Sequence, residues 1–384
     1  MQYQGFGNGS AGPLNITSNT TESPIDSACA GSSGGTSLSA TNASFAPEQM
    51  ILIHQTQGTG HGSWELNFID EYTAGTITTL FDLANNYSIT GSNKAQVRTV
   101  PEYSSITIAA GVTWTGKAWT GTVGGLLAYA CNGHVQINGT MSVKGTGFRG
   151  GTGTNGQGGG SSQLGFKGEG FNSFTGQGQA ANGNGGGGGE GGDGGSGGGG
   201  GGNGTAGTTG QNNQGAPGVG GSVAGNAALT LLDLGGGGGG GRGESNMNTG
   251  SWKAGNGGRG GGAIFGWQQS ITVNATTGFI DLRGDDGQNS TGSHEEGSGG
   301  GGGGSGGSGY FVGGDANFGT NRVLCSGGVG GQNSNLSRPG DGGAGGQGRF
   351  RAAFCNYATA SISSGQTSLE TGGHDYCQSF ISIY

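Results

Sequence analysis

Short runs of apolar residues, some continuous and some alternating with polar residues, are the clearest pattern in the sequence, and they are bounded by Gly, Asn and Thr. Four of them are Met50–His54, Trp64–Ile69, Ser105–Ile108 and Gly125–Ala130. Each run is short and rich in β-branched or aromatic residues, which is typical of β-strands. The pattern therefore predicts an all-β chain with almost no helix.

These runs recur as a faint internal repeat, whose copies begin at Gly124, Gly261, Ser308 and Gly348. A full copy has three short strands joined at Asn/Gly corners and is followed by a glycine-rich stretch. Three strands per copy, with side chains alternating inward and outward, are typical of a parallel β-solenoid or β-helix. We therefore expect the copies to stack and to bury a narrow aliphatic core between them.

Composition divides the chain into four regions. Residues 1–45 are rich in Ser, Thr, Asn and Gly and are expected to form a polar N-terminal arm, and residues 46–145 a β-rich domain. Gly dominates residues 146–260. Residues 261–384 are expected to form a second solenoid-like, glycine-rich region that ends in a C-terminal strand.

Glycine accounts for 103 of the 384 residues, and residues 235–241 are all Gly. One interpretation of such tracts is flexible linkers. The other is extended three-fold helices of the polyglycine II type, packed side by side through backbone hydrogen bonds. We favour packed helices, because long structureless loops inside a compact unit are uncommon. The predicted fold is thus a parallel β-solenoid combined with packed polyglycine-II-like segments.

Charge and hydropathy exclude several classes of protein. With 22 acidic and 14 basic side chains the net charge is −8, which argues against a nucleic-acid partner. No apolar run reaches the ~18 residues of a membrane-spanning helix, so we expect no membrane insertion. Charged residues make up only 9% and Pro only 6 residues, unlike ordinary disordered chains. The start of the chain lacks the pattern of a secretory signal, and we expect a processed or incompletely read form.

Candidate catalytic and metal-binding residues are few. None of the five His residues has the spacing of a zinc site, and no nucleophile elbow or Gly-Lys-Ser/Thr motif occurs. Asp193, Asp285 and Asp286 lie in glycine-rich segments that suit Ca²⁺, but the repeated calcium nonapeptide is absent. We therefore predict a non-enzymatic protein with no catalytic, cofactor-binding or metal-binding residues.

Residues 125–151 and 103–113, together with the run 345–351 that leads to Cys355 and Cys377, resemble glycine-rich bacterial surface and secreted proteins. In these proteins solenoid-like strands alternate with polyglycine. The Gly tracts are also similar to the polyglycine lattices of phage tail-fibre tip adhesins and of glycine-rich antifreeze proteins. The resemblance covers about residues 46–384 and implies an extracellular structural or adhesive role.

The five Cys residues are odd in number, so at least one is free or pairs with another molecule. Cys355 and Cys377 flank the final segment and match the resemblance, which implies a disulfide between them. Cys131 and Cys325, in the first and third copies of the repeat, either face each other or fill the core. Cys29, in the polar arm, is the candidate for an intermolecular bond.

Nine of the Asn residues that precede x-Ser/Thr are taken as candidates for glycosylation. Asn138 and Asn274 occupy the same corner of two repeat copies, where Asn either caps the corner or carries a glycan. The nine candidates are Asn15, Asn19, Asn42, Asn86, Asn138, Asn203, Asn274, Asn289 and Asn335.

Assembly follows from the predicted stack. An open stack has two unpaired ends, and no amphipathic helix at either terminus is suited to cap them. The polar arm and the C-terminal strand suit addition to the sheet edge of another copy, and head-to-tail contacts that do not close give filaments. We therefore expect the partner to be the protein itself, in an extracellular filament or biofilm matrix that carries glycans if the sequons are used.

The alternative is an adhesin at the cell surface that binds surface glycans or a receptor. In that case loops with exposed Trp114, Trp119, Trp252 and Trp267 would contact the ligand, whereas in a structural protein these side chains pack inside the solenoid. Ice binding would need a flat, regular face, which the charged residues within the Gly tracts make a poor fit.

Overall fold

The structure is a computed structural model that describes residues 5–154, 164–173, 176–191, 194–243, 253–292, 297–335 and 337–371. The described residues form β-strands and extended segments and contain no helix, which confirms the all-β prediction. In particular, no described segment is a helix long and apolar enough to cross a membrane.

Eighteen strands lie in the described residues. In chain order they are β1 (Pro13–Ile16), β2 (Thr20–Thr21), β3 (Asp26–Gly31), β4 (Ser37–Ala40), β5 (Met50–Gln57), β6 (Trp64–Thr73), β7 (Thr76–Thr79), β8 (Lys94–Thr99), β9 (Glu102–Tyr103), β10 (Ser105–Ile108), β11 (Thr113–Thr115), β12 (Leu126–Ile137), β13 (Thr140–Ser142), β14 (Ala263–Val273), β15 (Phe279–Asp281), β16 (Ser308–Leu324), β17 (Arg349–Ser364) and β18 (Gln366–Thr371).

Six antiparallel strands close into a barrel in the order β3-β4-β7-β6-β5-β8. Alternate side chains of β5 fill its interior, where Ile51 and Ile53 are fully buried. The other side chains of β5, Met50 and Leu52, point out of the barrel and pack against the second sheet of the molecule. Both faces of β5 are therefore buried, which explains its nearly unbroken apolar start.

The remaining strands form one large parallel sheet that folds back on itself. Its first layer runs β1-β10-β12-β14-β16-β17-β18 and its second layer runs β2-β11-β13-β15, and the long β16 pairs with both layers. Leu126 pairs with Ala263, Ala263 with Ser308, and Ser308 with Arg349. The four copies of the predicted repeat are thus neighbouring strands in register.

The two layers enclose an aliphatic and aromatic core. Val135, Ile271 and Phe318 of the first layer face Met141 and other apolar residues of the second layer, and all of these are almost fully buried. Because successive side chains of a strand point to opposite faces, the other face of the first layer needs a separate cover. The barrel supplies that cover over the first half of each strand only.

The glycine-rich segments connect the second layer back to the first. Their hydrogen bonds follow a period of three residues, which segment 235–241 shows most clearly. Every third amide of that segment donates to the same neighbour: residues 235, 238 and 241 to segment 255–261, residues 236 and 239 to segment 199–202, and residues 237 and 240 to segment 166–169. Its carbonyls accept with the same period from segments 148–154, 186–189 and 302–305. Segment 235–241 is therefore hydrogen-bonded to six neighbours.

The spacing between these segments leaves no room for side chains. The Gly239 amide donates to the Gly199 carbonyl at 2.8 Å, and the Gly239 carbonyl accepts from the Gly302 amide at 2.8 Å. A Cβ atom built on Gly239 would lie 1.9 Å from the carbonyl oxygen of Gly187. Close approach of backbones, rather than an unusual backbone conformation, explains why glycine is required here.

Residues with side chains lie at the outer edge of this glycine-rich block, again three apart. The Asp286 carboxylate accepts from the Val329 amide at 2.9 Å, and the Asn289 side-chain oxygen accepts from the Gln332 amide at 2.8 Å. The Thr208 hydroxyl accepts from the Ala344 amide at 2.7 Å. At the edge, side chains therefore bind amides that other glycine segments would bind in the interior.

The polar N-terminal arm differs from its prediction. Within residues 1–45, β1 and β2 join the two layers of the parallel sheet, and β3 and β4 complete the barrel. Glu22, which follows β2, forms a buried ion pair with Arg98 of β8. Burial raises the pKa of Glu22 despite the opposing charge of Arg98. The boundaries at residues 45, 145 and 260 stay predictions.

Three side chains of the barrel bind the apolar segment 229–234. The Trp64 indole donates to the Leu229 carbonyl at 2.9 Å, and His54 Nε2 contacts the Leu232 carbonyl at 2.8 Å. His61 Nδ1 lies 2.8 Å from Asp233 Oδ1. Burial lowers the pKa of His54. Burial also lowers the pKa of His61, but the hydrogen bond and charge of Asp233 outweigh it, so the net shift of that pKa is upward.

Gly239→Ala should lower the free energy of unfolding by about 1–3 kcal/mol, because the new methyl group overlaps the Gly187 carbonyl. Urea denaturation followed by circular dichroism measures this change. Gly35→Ala is the matched control, since its Cβ would lie 3.4 Å from the nearest atom, the Ser32 carbonyl oxygen. Equal stability of both variants would show that the glycine segments are not closely packed.

His61→Gln should cost more stability at pH 6 than at pH 8.5, by roughly 0.5–1 kcal/mol. The pKa of His61 is raised in the folded chain, so its stabilising contribution is present below the unfolded pKa and is lost as the pH rises through the folded pKa. Urea titrations of His61→Gln and of the unsubstituted chain at the two pH values give the difference in the free energy of unfolding. His54 has the opposite pH dependence, but it is present in both proteins, so its contribution cancels in this difference. A loss of stability in His61→Gln that is larger at pH 8.5 than at pH 6 would contradict the prediction.

Candidate functional site: the polar face and the edges of the parallel sheet

The open face of the parallel sheet carries two rows of polar side chains. They lie on the second half of the first layer, beyond a register shift between Cys131 and His134. Parallel pairing places one residue of the first row on each of β10, β12, β14, β16 and β17, and one residue of the second row on each of β1, β10, β12, β14 and β16. The first row is Ser105, His134, Ser270, Asp315 and Asn356; the second row is Asn15, Thr107, Gln136, Thr272 and Asn317. We call the two rows the polar face.

The polar face is accessible and internally hydrogen-bonded. None of its ten residues is buried, and His134, Asp315 and Asn317 are among those that are exposed. His134 Nδ1 contacts the Ser270 hydroxyl at 2.8 Å, and the Asn356 amide donates to Asp315 at 3.0 Å. These residues, with Thr272 and Asn317, line a groove of about 360 Å³.

Sequence reasoning missed this face as a site. The signal was present in the repeat, because His134, Ser270 and Asp315 fall at equivalent positions once the copies are aligned. Only the apolar positions of the repeat were used to predict the fold. The polar positions between them define the accessible surface.

The corner after β14 explains the presence of Asn274. The side-chain oxygen Oδ1 of Asn274 accepts from the Thr276 amide at 2.9 Å, the Thr276 hydroxyl at 2.8 Å and the Thr277 amide at 3.2 Å. The Asn274 amide also donates to Asn138 on the neighbouring strand at 3.3 Å. Asn274 therefore caps its own corner, as Asx turns do.

The other glycosylation candidates fall in different environments. Asn15, Asn19, Asn86 and Asn289 are exposed, and Asn42, Asn138, Asn274 and Asn335 are partly buried. Asn203 is fully buried, and its amide donates to the Gly306 carbonyl at 2.9 Å. The folded structure leaves no room for a glycan on Asn203.

The Trp residues do not form an exposed binding surface. Trp114, Trp119 and Trp267 are 2%, 1% and 5% exposed. Trp252 lies outside the described residues. An adhesin that uses these described Trp side chains would contradict their burial, so any binding role must rest on other residues.

The prediction that Cys29 lies in a polar arm and forms an intermolecular bond is wrong. Its thiol is free and fully buried inside the barrel, where burial raises its pKa. Cys131 and Cys325 are also free and fill the core between the layers. The predicted disulfide from Cys355 to Cys377 stays a prediction, because Cys377 lies outside the described residues.

Acidic and metal-ligating side chains are scattered. The described residues contain no group of three or more His, Cys, Asp or Glu side chains placed to hold a metal ion. The Asp286 carboxylate accepts a hydrogen bond from the Val329 backbone amide at the edge of the glycine-rich block. Asp285 is partly buried, and this burial raises the pKa of its carboxyl group. Asp193 lies outside the described residues.

The two ends of the sheet's first layer are offset from each other. At one end β1 pairs with β10, which in turn pairs with the second half of β12. At the other end β18 pairs only with the first half of β17, from Arg349 to Phe354. Among the described strands, the second half of β17 pairs only with β16.

No protein-family model matches the sequence, and no similar curated protein or solved structure is found.

Asn274→Ala should lower the free energy of unfolding by about 1 kcal/mol, because three donors at the corner lose their acceptor. Asn274→Asp keeps the acceptor but removes the sequon, and we expect it to be close to the unsubstituted chain. Thermal unfolding compares the two variants, and intact mass shows whether position 274 carries a glycan. A loss of mass in both variants, with equal stability, would favour the glycan over the corner cap.

Proposed function

We propose that this protein is a non-enzymatic structural subunit that stacks head to tail on copies of itself to form an extracellular filament or matrix. The observation that carries the proposal is the offset between the two ends of the parallel sheet. Heterologous contacts of this kind extend into open filaments when the rotation between copies does not close a ring.

The offset makes the two ends complementary. β1 of one copy would pair with the second half of β17 in the next copy, beside β18. All strands of the first layer are parallel, so the added strand would continue the same sheet with the same direction. Strand addition at a sheet edge supplies affinity through main-chain hydrogen bonds.

Among the described strands β1 pairs only with β10, so within that part of the chain its outward backbone groups face an open edge. The Gly12 and Ile16 carbonyls accept from the Ser104 and Ala109 amides, on the β10 side. Because backbone groups alternate in direction along a parallel strand, Pro13 and Asn15 point the other way. Pro13 has no N–H, so Asn15 supplies the one amide donor of β1 on the open edge.

At the level of fold, we propose a β-solenoid whose rungs are joined by packed polyglycine II helices. The three-residue period of hydrogen bonding and the six neighbours of segment 235–241 support this arrangement. A dense block of this kind offers few side chains that a protease could recognise, which suits a structural role outside the cell. Exposed Asn15, Asn19, Asn86 and Asn289 are the sequons most open to glycans in such a setting.

Asn15→Pro should abolish filaments, because it removes the remaining amide donor of β1 from the open edge. Electron microscopy of the full chain, without reductant at neutral pH, should show fibres for the unsubstituted protein and discrete particles for the variant. Light scattering after size-exclusion chromatography gives the mass of those particles.

Asn15→Ser is the matched control, since it keeps the backbone amide and loses only the side chain and the sequon. Its filaments should be indistinguishable from those of the unsubstituted protein. Thermal unfolding of Asn15→Pro shows whether the fold is intact. Discrete monomers of the unsubstituted protein at high concentration would reject the proposal.

A further inference from the structure

We propose that the polar face binds an extended neutral polysaccharide, which lies across the strands along the two rows. The inference is independent of filament formation, because the polar face consists of side chains, whereas the sheet edges pair through backbone groups. It assigns to the open half of the first layer a role that neither the core nor the barrel explains.

The chemistry of the polar face matches sugar hydroxyls. Eight of its ten side chains carry a hydroxyl or an amide, which both donate and accept hydrogen bonds as sugar hydroxyls do. Only His134 and Asp315 are titratable, and neither row contains Lys or Arg. A phosphate or sulfate ligand would lack a cationic partner, so the face selects against anionic polymers.

The spacing of the rows fits a repeating ligand. Neighbouring strands lie about 4.8 Å apart, so each row presents one polar group per strand over roughly 19 Å. A sugar unit of an extended β-1,4-linked chain advances by a similar distance. One polysaccharide chain can therefore contact one polar side chain on each strand of a row. The second row extends from β1 to β16 and the first row from β10 to β17.

The uneven surface of the polar face favours a polysaccharide over ice as its ligand. Side chains as different in length as Ser270, His134 and Gln136 stand next to one another, and the first row borders a groove of about 360 Å³. An ice lattice needs a flat, uniform array, whereas a sugar chain with projecting hydroxyls fits a shallow groove.

The side chains are held in place before a ligand arrives. His134 is fixed by Ser270 at 2.8 Å, and Gln136 donates to Asn138 at 3.0 Å. Prior ordering reduces the entropy lost on binding. Neither row contains Phe, Tyr or Trp, so each site is weak and affinity builds up along the polymer.

The test compares the full chain with the double variant Gln136→Ala/Thr272→Ala at the centre of the second row. Isothermal titration with cellohexaose and chitohexaose, and co-sedimentation with insoluble cellulose and chitin, measure binding. We expect the double variant to lose about tenfold or more in affinity, as removal of two ligand hydrogen bonds should. Thr122→Ala, an exposed Thr away from the face, should bind within about twofold of the unsubstituted chain.

Several outcomes overturn the proposal. It fails if the unsubstituted chain binds none of these glycans, or if the double variant binds them equally well. Binding of heparin in preference to the neutral glycans would assign the face to an anionic polymer. Ice-recrystallisation inhibition that the double variant loses, without glycan binding, would assign it to ice. Filaments of the double variant should be normal, which separates this test from that of head-to-tail stacking.

Discussion

The rest of the structure depends on backbone hydrogen bonds between segments that have no side chains. Segment 235–241 donates to three neighbours and accepts from three others, with a period of three residues. Ordering so much glycine costs more conformational entropy than ordering any other residue. That cost is met only where nearly every amide and carbonyl finds a partner, and it is met here because backbones can approach without any Cβ between them.

This block and the parallel sheet form one continuous structure. Segment 297–307 runs directly into β16, and segment 340–348 runs directly into β17. The hydrogen bonds of the glycine segments therefore help to set the register with which the strands of the sheet begin. At the outside of the block, Asp286, Asn289 and Thr208 bind edge amides, so the array of backbones ends there.

The sheet has two halves with different covers. The barrel, through Trp64 and the segment 229–234, covers the first half of the strands. The second half stays open, and its outward residues are polar. A sheet with one buried and one accessible face needs alternation of apolar and polar residues, which the strands have only beyond the shift at Cys131. The surfaces available for assembly and for binding both follow from this division.

The sequence by itself determined the all-β class, the strands at Met50, Trp64 and Ser105, and the equivalence of the repeat copies. These signals are local, because they depend on alternation and on residues such as Asn274 that cap their own corners. The sequence did not reveal that residues 26–40 belong to a barrel, that Cys29 is buried, or that ten polar side chains share one face. Those facts depend on which distant segments lie side by side. The low-complexity polar segments contain no sequence pattern that indicates their distant contacts. Only the tertiary structure decided them.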